Sequence, residues 1–403
     1  MRRLILALSL LAVVPAQAAQ WDFSGFADLR VVIPPEQDRS WLDGGLGKLR
    51  YGKSDSNLQF GGAVGQASVL ITPELVATAV GRVETNQATA VDLLEAYVRY
   101  RPVSTTAWRW SVKAGAFFAP FSLENTELGW SPYWTLTPSA INSWFGEEFR
   151  TIGGEFDMEW RGQLGTLTMA AAGFGLNEPA GVMMADRGWT MDDQPTGLFS
   201  ELRIPDATLL RQHQEAPDST PIFKQFDSHV GWYAGMSWDD TDQWHIELYR
   251  YDNEADPSAH KDDYFNWHTA FWGTGFEDRF GDFMAIAQAV SGKTTIVPSP
   301  SFRSDTDFDS AFGLIGWERG MWRLAGRAEI FHTETRNTFG LSEATSENGT
   351  VLTAAVTVLP AEWVKLTGEI VSITSTRGER SIVGLTPEQT ETQFQLAARF
   401  YWD

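Results

Sequence analysis

The sequence predicts an all-β fold, a closed antiparallel transmembrane β-barrel of about 16 strands with an inward-folded third external loop. Three observations lead to this prediction. Apolar and polar residues alternate along most of the chain after residue 19, short connections take turns with long ones, and tryptophans stand beside many of the short connections. Together they describe strands with one apolar and one polar face that follow one another in hairpins.

The chain begins with the pattern of an export signal. Two arginines at positions 2 and 3 precede the apolar run Leu4–Val14, and Ala16-Gln17-Ala18 matches the small-x-small site of signal peptidase. An apolar run of about 11 residues is too short for a membrane-spanning helix, which needs ~20. We therefore expect residues 1–19 to be a cleaved signal peptide and residues 20–403 to form a single barrel domain.

The composition is typical of such a barrel. Aromatic residues make up 13% of the chain, with 18 Trp and 36 Gly, yet the mean hydropathy is only -0.23. A barrel combines these values because only every second strand residue faces lipid. The net charge of -21 argues against a nucleic-acid partner. We expect acidic loops to lie among lipopolysaccharide phosphates by sharing divalent cations.

The end of the chain shows the alternation most clearly. One face of an extended segment carries Phe394, Leu396, Ala398, Phe400 and Trp402, and polar residues dominate the other face. A period of two with one wholly apolar face is typical of a strand and not of a helix. The same pattern recurs in residues 22–30, 94–99, 165–171, 323–330 and 352–358.

Connections of two lengths separate the strands. The short ones are residues 72–74, 102–107, 161–163, 239–242, 278–281, 318–320 and 359–361; the long ones are 34–56, 86–90, 119–148, 175–226, 253–263, 292–307, 334–349 and 376–391. Short turns would face the periplasm and long loops the outside. Tryptophans flank the short turns, as a membrane interface favours: Trp108, Trp160, Trp238, Trp244, Trp317, Trp322 and Trp363.

The third long connection, residues 119–148, is unusually apolar. Thr137-Pro138 is typical of a helix start, and Ile141, Trp144 and Phe145 would share one face of that helix. We expect this segment to fold against the inner wall as a constriction loop, although an external loop packed on its neighbours remains an alternative. Residues 175–226 are predicted to form a long external loop that could cover the mouth.

These features resemble the general porins of Gram-negative bacteria, and residues 115–124 are similar to the G-x-F-x-x-P-F-x-L-E pattern of the phosphate-selective porin family. The resemblance implies an outer-membrane location and a homotrimer. Two features depart from it. Trp402 is followed by Asp403, whereas these porins usually end on an aromatic residue, and the chain has no obvious ladder of basic residues.

The inward faces of the predicted strands supply candidate pore residues. The bases are Arg30, Arg82, Arg99, Arg109, Lys113, Arg323, Arg327, Lys365 and Arg399. Those of the first and last strands become neighbours when the barrel closes, so we expect a local basic wall. Acids of the third loop, Glu124, Glu127, Glu147 and Glu148, could face it and create a transverse field that orients polar solutes. The alternative is that these groups pair along the wall and fill space.

Aromatic residues of the same loop are candidates for contacts with sugar rings. They are Phe117, Phe121, Trp130, Tyr133 and Trp134. Together with Phe118 they could form a stacking track along the channel.

The function that the sequence favours is passive diffusion of small hydrophilic solutes or ions through a water-filled channel. The alternatives are a substrate-specific channel for phosphate, organic anions or sugars, a plugged barrel with a structural or adhesive role, and a secreted soluble glycan-binding protein. We expect no enzyme, no cofactor and no metal site, because the 6 His are scattered and no nucleophile elbow occurs. Residues 47–54 match a phosphate-binding P-loop, but no strand and helix flank them as that motif requires.

Overall fold

A computed structural model describes residues 19–36, 39–85, 87–176, 178–206, 217–241, 243–262, 264–338 and 346–403. The predicted signal peptide lies outside the described residues, apart from Ala19. Among the residues described, no helix is both long enough and apolar enough to cross a bilayer.

Sixteen antiparallel strands form a closed barrel, which confirms the predicted fold class. The barrel closes because the last strand pairs with the first, with Gly25 opposite Trp402 and Ile33 opposite Phe394. In chain order the strands are β1 (Gln20–Ile33), β2 (Leu58–Thr72), β3 (Leu75–Val83), β4 (Val91–Tyr100), β5 (Trp108–Phe117), β6 (Thr151–Arg161), β7 (Gly165–Phe174), β8 (Glu201–Arg203), β9 (Ser219–Pro221), β10 (Gly231–Asp240), β11 (Trp244–Asp252), β12 (His260–Lys261), β13 (Tyr264–Phe265), β14 (His268–Phe280), β15 (Phe283–Ser299), β16 (Phe302–Arg319), β17 (Trp322–Asn337), β18 (Glu347–Ala361), β19 (Val364–Arg377) and β20 (Glu388–Trp402). The short strands β8 with β9 and β12 with β13 form two small separate sheets.

The two faces of the barrel wall differ as the alternation predicts. On β20, Phe394 and Leu396 point outward and are 43% and 51% exposed, whereas their neighbours Gln393 and Gln395 point inward and are buried. Exposed apolar side chains of this kind cover the wall, and water would not favour so large an apolar surface. A lipid bilayer would favour this apolar surface. The barrel can lie in lipid because its strands hydrogen-bond their backbone groups to one another.

The connections divide the barrel into two ends. At the short-turn end, turns of a few residues join the strands, for example the turn between β16 and β17. Outward-facing tryptophans ring this end, among them Trp108, Trp244 and Trp322, all well exposed. Such a ring is typical of a membrane interface. The opposite end carries the longer connections and is called the long-loop end below.

Three sequence expectations about strands were wrong. Residues 376–391 were expected to form a long loop, but β20 already begins at Glu388, which pairs with Thr376 of β19. Residues 292–307 were expected to form a long loop, but β15 and β16 run on to Ser299 and Phe302, with Lys293 paired opposite Asp307. Their polar composition misled the prediction, because paired strands can continue beyond the apolar band. The alternation in residues 94–99 groups Leu94 with Ala96 and Val98 on the outward face, but a bulge opposite Val80 in β3 turns Leu94 inward, where it is fully buried.

The long connections fill much of the barrel interior. They contain α1 (Ala140–Glu148), α2 (Ala180–Asp186) and the 3-10 turns Trp41–Asp43 and Gly378–Val383. A large aromatic cluster joins α1 to inward-facing residues of the wall, with Trp144 beside Phe308 and Phe145 beside Phe271. The hydrophobic core of the protein therefore lies inside the barrel.

Candidate functional site

Five bases from four strands lie together on the inner wall around the seam where the barrel closes. Arg323 and Arg327 come from β17, Lys365 from β19, Arg399 from β20 and Arg30 from β1. Lys365 lies opposite Arg399 in the strand pairing, and Arg399 lies opposite Asp28 of β1. All five side chains are buried. This group is called the basic wall.

Carboxylates neutralise much of the basic wall. Asp28 accepts hydrogen bonds from Arg30 at 2.9 Å and from Arg399 at 3.1 Å. Arg30 also pairs with Asp193, which comes from the long connection after β7. A buried charge needs such partners, because leaving it unpaired would cost several kcal/mol.

The third loop is fastened to the wall by its own acids. Glu124 pairs with Arg327, and Glu127 accepts from the Lys365 ammonium at 3.1 Å. Arg327 also donates to the carbonyl oxygens of Thr137 at 2.9 Å and Pro138 at 3.1 Å. The wall also supplies an acid that binds the loop. Glu369 of β19 accepts a hydrogen bond from the backbone N–H of Leu136 at 2.6 Å. Residues 119–148 thus lie against inward-facing side chains.

The two remaining loop acids do not contact the basic wall. Glu147 and Glu148, at the C-terminal end of α1, both accept from Arg187 at 2.5 Å. Arg187 follows α2 in the next long connection. Burial raises the pKa of Glu148 to about 8, in spite of Arg187. Burial also raises the pKa of Glu147 and, together with the charge of Glu147, lifts that of Asp192 well above its usual range.

The other four candidate bases lie on β3, β4 and β5. Arg109 pairs with Glu159 of β6, and Lys113 pairs with Glu155 of the same strand at 2.5 Å. Arg99 lies opposite Lys113 and is exposed. Arg82 is buried and reaches Ser200 at 3.4 Å. The structure therefore separates three of these bases from the basic wall, and Arg82 is the one that approaches it.

A narrow cleft lies between the wall of β1–β3 and the third loop. It has a volume of about 340 Å³, counting its open mouth. Its lining combines both signs of charge, and it includes Phe26, Arg82, Glu84, Gly129, Asp193 and Arg399. The cleft is where the basic wall, Arg82 and the third loop meet.

The five candidate aromatics have separate environments. Phe117 and Phe121 are buried, and Phe121 stacks on Tyr249 with 4.2 Å between ring centroids. Trp134 is buried as well. Only Trp130 and Tyr133 remain partly exposed. The five rings therefore do not form one continuous track.

Tyr133 belongs to the basic wall by its contacts. The Arg323 guanidinium lies 3.5 Å from the centre of its ring, and its carbonyl oxygen accepts from Arg323 at 2.9 Å and from Lys365 at 3.3 Å. Trp130 stacks on Phe118 at 4.4 Å. These two half-buried aromatics are the ones available to a solute.

The sequence did not indicate several charged residues of the interior. Asp193 joins Arg30 to Arg50, whose other partner is Glu84 at 3.0 Å. Although burial opposes it, the two arginines hold the pKa of Asp193 below its usual range. Asp193 and Arg50 come from long connections without periodicity, so no pattern marked them as interior. Within the described part of the chain, no group of three or more His, Cys, Asp or Glu is placed to hold a metal ion.

Solved barrels share this architecture. The outer membrane channel DcaP of Acinetobacter baumannii superposes with a TM-score of 0.58 at 10% identity, over 97% of this chain and 99% of that one. The anion-selective porin from Comamonas acidovorans superposes with a TM-score of 0.52 at 10% identity, over 95% of this chain and 100% of that one. A loop L8 deletion mutant of OmpT, an outer membrane protein of Vibrio cholerae, superposes with a TM-score of 0.52 at 11% identity, over 96% of this chain and 100% of that one.

At such low identity these similarities show the fold alone. No protein-family model matches the sequence, and no curated protein matches it.

Proposed function

We propose that the chain is an outer-membrane porin through which small hydrophilic solutes diffuse passively. The observation that carries the proposal is a closed barrel of 16 strands whose outer face is apolar and whose inner face is charged. Barrels of about this size can enclose an aqueous channel. The solved barrels with the same fold include a channel and a porin.

The cleft beside the basic wall is the proposed narrow point of the channel. Arg82 and Arg399 line it together with the acids Glu84 and Asp193. Opposed charges on two sides of a narrow aqueous passage create a transverse field, which favours polar solutes over apolar ones. The apolar cluster around α1 fills the other side of the barrel, so solutes must be small. A preference for phosphate, organic anions or sugars would be a sharper form of this function.

Single-channel conductance in a planar bilayer tests the proposal. The purified protein should give stable open steps, and the reversal potential under a salt gradient should reveal its ion preference. A protein that inserts but never conducts would replace the porin with a plugged barrel, as the filled interior would permit. A protein that stays soluble without detergent would favour the alternative of a secreted soluble glycan-binding protein.

Export is part of the same proposal. Residues 1–19 would be removed on the way to the outer membrane, and divalent cations would link the acidic loops to lipopolysaccharide. The mass of the protein isolated from outer membranes would show whether it begins at or near Gln20.

A homotrimer is proposed from small residues on the outer face. On β2–β4 the outward positions at mid-height are mostly small, as the strand pairing shows: Ala63, Gly65, Ala67, Ala77, Ala79, Gly81 and Ala96. On β15–β18 small outward residues such as Ala289 and Gly313 lie among large exposed ones such as Ile315 and Leu352. Small residues let two walls approach closely, so the patch on β2–β4 would face other subunits.

A further inference from the structure

Two charged side chains of the cleft have bonding capacity that the protein itself does not use. Arg82, near the end of β3, and Glu84, two residues later, both line the cleft, and each is 4% exposed. Residues two apart in an extended chain point to the same side, so both side chains face the interior of the barrel. These two residues are called the cleft pair.

Arg82 forms no ion pair with any of the residues that the structure describes. Its guanidinium donates from Nη2 to the hydroxyl of Ser200 at 3.4 Å, and its buried Nε has no acceptor there. Asp92 lies opposite Arg82 in the strand pairing, but its oxygens accept from the backbone N–H of Phe199 at 3.1 Å and from the Ser200 hydroxyl at 2.9 Å. A buried guanidinium needs an anion, and the carboxylate of a solute would supply one.

Glu84 uses one of its two carboxylate oxygens. Oε1 accepts from Arg50 at 3.0 Å, and Arg50 also binds Asp193 at 2.9 Å. Oε2 accepts no hydrogen bond from the described part of the chain. Gly62 lies beside it in the cleft lining, and a Cβ at that position would be 3.0 Å from Oε2. Because Gly62 has no side chain, the ammonium of a solute can approach Oε2 without breaking the pair with Arg50.

We propose that the cleft binds small zwitterionic amino acids, with the carboxylate at Arg82 and the ammonium at Oε2 of Glu84. An α-amino acid carries both charges on substituents of one carbon atom, so neighbouring groups of opposite charge can meet both at once. A simple anion would be repelled by Glu84, and a simple cation would be repelled by Arg82. Gly129 and Ser131 of the third loop line the same cleft and limit the solute to a small side chain. The proposal rests on the channel proposed above, because it names the solutes that this channel would favour.

Ligand-detected NMR of the purified barrel in detergent, with glycine as the probe, tests the binding. Glycolate, which has a hydroxyl in place of the ammonium, and glycinamide, which has an amide in place of the carboxylate, are the comparison probes. Glycine should bind about tenfold more tightly than either, because a hydrogen bond between charged groups contributes about that factor. Equal binding of glycine and glycolate would reveal a general anion site and overturn the proposal. Equal binding of glycine and glycinamide would overturn it too.

Variants of the cleft pair assign each half of the solute. Arg82→Gln should weaken glycine binding about tenfold and remove the preference over glycinamide, and Glu84→Gln should remove the preference over glycolate. Both variants should fold, because Arg82 has no ion pair to lose and Arg50 keeps Asp193. Migration on a gel before and after heating checks the fold. Arg99→Gln removes a base of β4 outside the cleft lining and should leave glycine binding unchanged. Equal loss in Arg99→Gln would show that net charge alone attracts glycine and would overturn the site.

Uptake of glycine into liposomes that contain the protein separates this proposal from the proposed function. Glycine should enter faster than glycolate and glycinamide. Entry of all three at equal rates would keep the porin and overturn the amino-acid site. Binding of glycine without entry of any of the three would keep the site and overturn the porin.

Discussion

At the scale of residues, Glu127 is the loop acid that combines contact with the basic wall and access to water. Its side chain is 22% exposed, whereas that of Glu124 is fully buried beside Arg327. It approaches Lys365 at 3.1 Å and Arg399 at 3.6 Å. A carboxylate in this position offsets the positive charge that a passing ion would meet.

Replacing Glu127 should make the channel more selective for anions. In Glu127→Gln the charge beside Lys365 and Arg399 rises by one unit. At about 8 Å in water an anion would gain about 0.5 kcal/mol and a cation would lose as much, so the anion-to-cation permeability ratio should rise about fivefold. Reversal potentials under a salt gradient measure that ratio. Glu334→Gln is the matched control, because Glu334 points outward at the long-loop end and should leave the ratio unchanged. A shift towards cations would contradict the assignment of Glu127 to the channel.

The cluster of Glu147, Glu148 and Arg187 should make the interior of the barrel sensitive to pH. The pKa of Glu148 rises by burial from 4.5 to about 8, so the folded protein holds a proton that the unfolded segment releases. The stabilisation is therefore complete below about pH 4.5 and is lost as the pH rises towards 8. Asp192 and Glu147 have raised pKa values by the same cause and act in the same direction.

Hydrogen exchange of residues 180–200 should accordingly be faster at pH 8.5 than at pH 5.5 after correction for intrinsic rates. The expected increase is about tenfold or more, since one unit of raised pKa corresponds to about 1.4 kcal/mol. Glu148→Gln should reduce the pH dependence, because the amide does not titrate. Glu201→Gln, an exposed acid of the same connection, should leave it intact. Equal protection at both pH values would exclude the proposed coupling.

The sequence could predict which bases gather but not which acids meet them. Strand alternation and closure of the barrel place Arg30 near Arg399, because both positions follow from a period of two. The partners Asp193 and Arg187 come from connections whose path depends on packing inside the barrel. No local pattern encodes that path, and for this reason Glu147 and Glu148 were expected at the basic wall.

At the scale of elements, the third loop depends on a single arginine more than on its own helix. Arg327 reaches Glu124 and the carbonyl oxygens of Thr137 and Pro138, immediately before α1 begins. Ser139 then caps α1 by accepting from the backbone of Asn142 at 3.3 Å. The wall therefore fixes the start of the helix, and a helix of 9 residues would be marginal alone.

Arg327→Gln should release the third loop. Removal of the guanidinium leaves Glu124 and Glu329 buried without their cation, a loss of about 3–5 kcal/mol. We expect larger and noisier single-channel steps and faster proteolysis within residues 119–148. Arg109→Gln is the control, because the ion pair of Arg109 joins β5 to β6 instead of holding the loop. Unchanged conductance together with unchanged proteolysis would show that the loop is held by its apolar contacts.

Element boundaries were predictable where the apolar alternation was strong and failed where strands leave the membrane. The end of β20 carries large apolar residues on every second position, and its C-terminal boundary followed from them, whereas its polar start at Glu388 was expected to be loop. The upper parts of β15 and β16 replace that signal with polar pairs, such as Thr295 with Asp305. Backbone pairing continues there although neither face of the strands is apolar. The alternation of apolar and polar residues therefore cannot reveal where these strands end.

At the scale of the whole molecule, small outward residues form a patch on β2–β4 that lacks outward charge among the described residues. Outward charges of both signs gather instead at the long-loop end of β11 and β14–β17, for example Arg250, Asp305 and Arg336. Closure into an even-stranded barrel followed from the sequence, but this distribution appears only when the strands are placed side by side. The proposed trimer would use the patch on β2–β4 as its contact.

A bulky side chain on the patch of β2–β4, compared with one on the opposite wall, should test the proposed trimer contact. Ala79 of β3 and Ala287 of β15 both point outward from strands of the wall. Ala79→Trp should prevent close approach of subunits and convert trimers to monomers, because overpacking a close interface costs typically about 1–3 kcal/mol per site. Ala287→Trp should leave the trimer intact, since lipid adapts to the added ring. Light scattering in detergent measures the mass of each protein. A trimer that survives Ala79→Trp but dissociates with Ala287→Trp would place the subunit contact on the wall around β15, and a monomeric unaltered protein would overturn the proposed trimer.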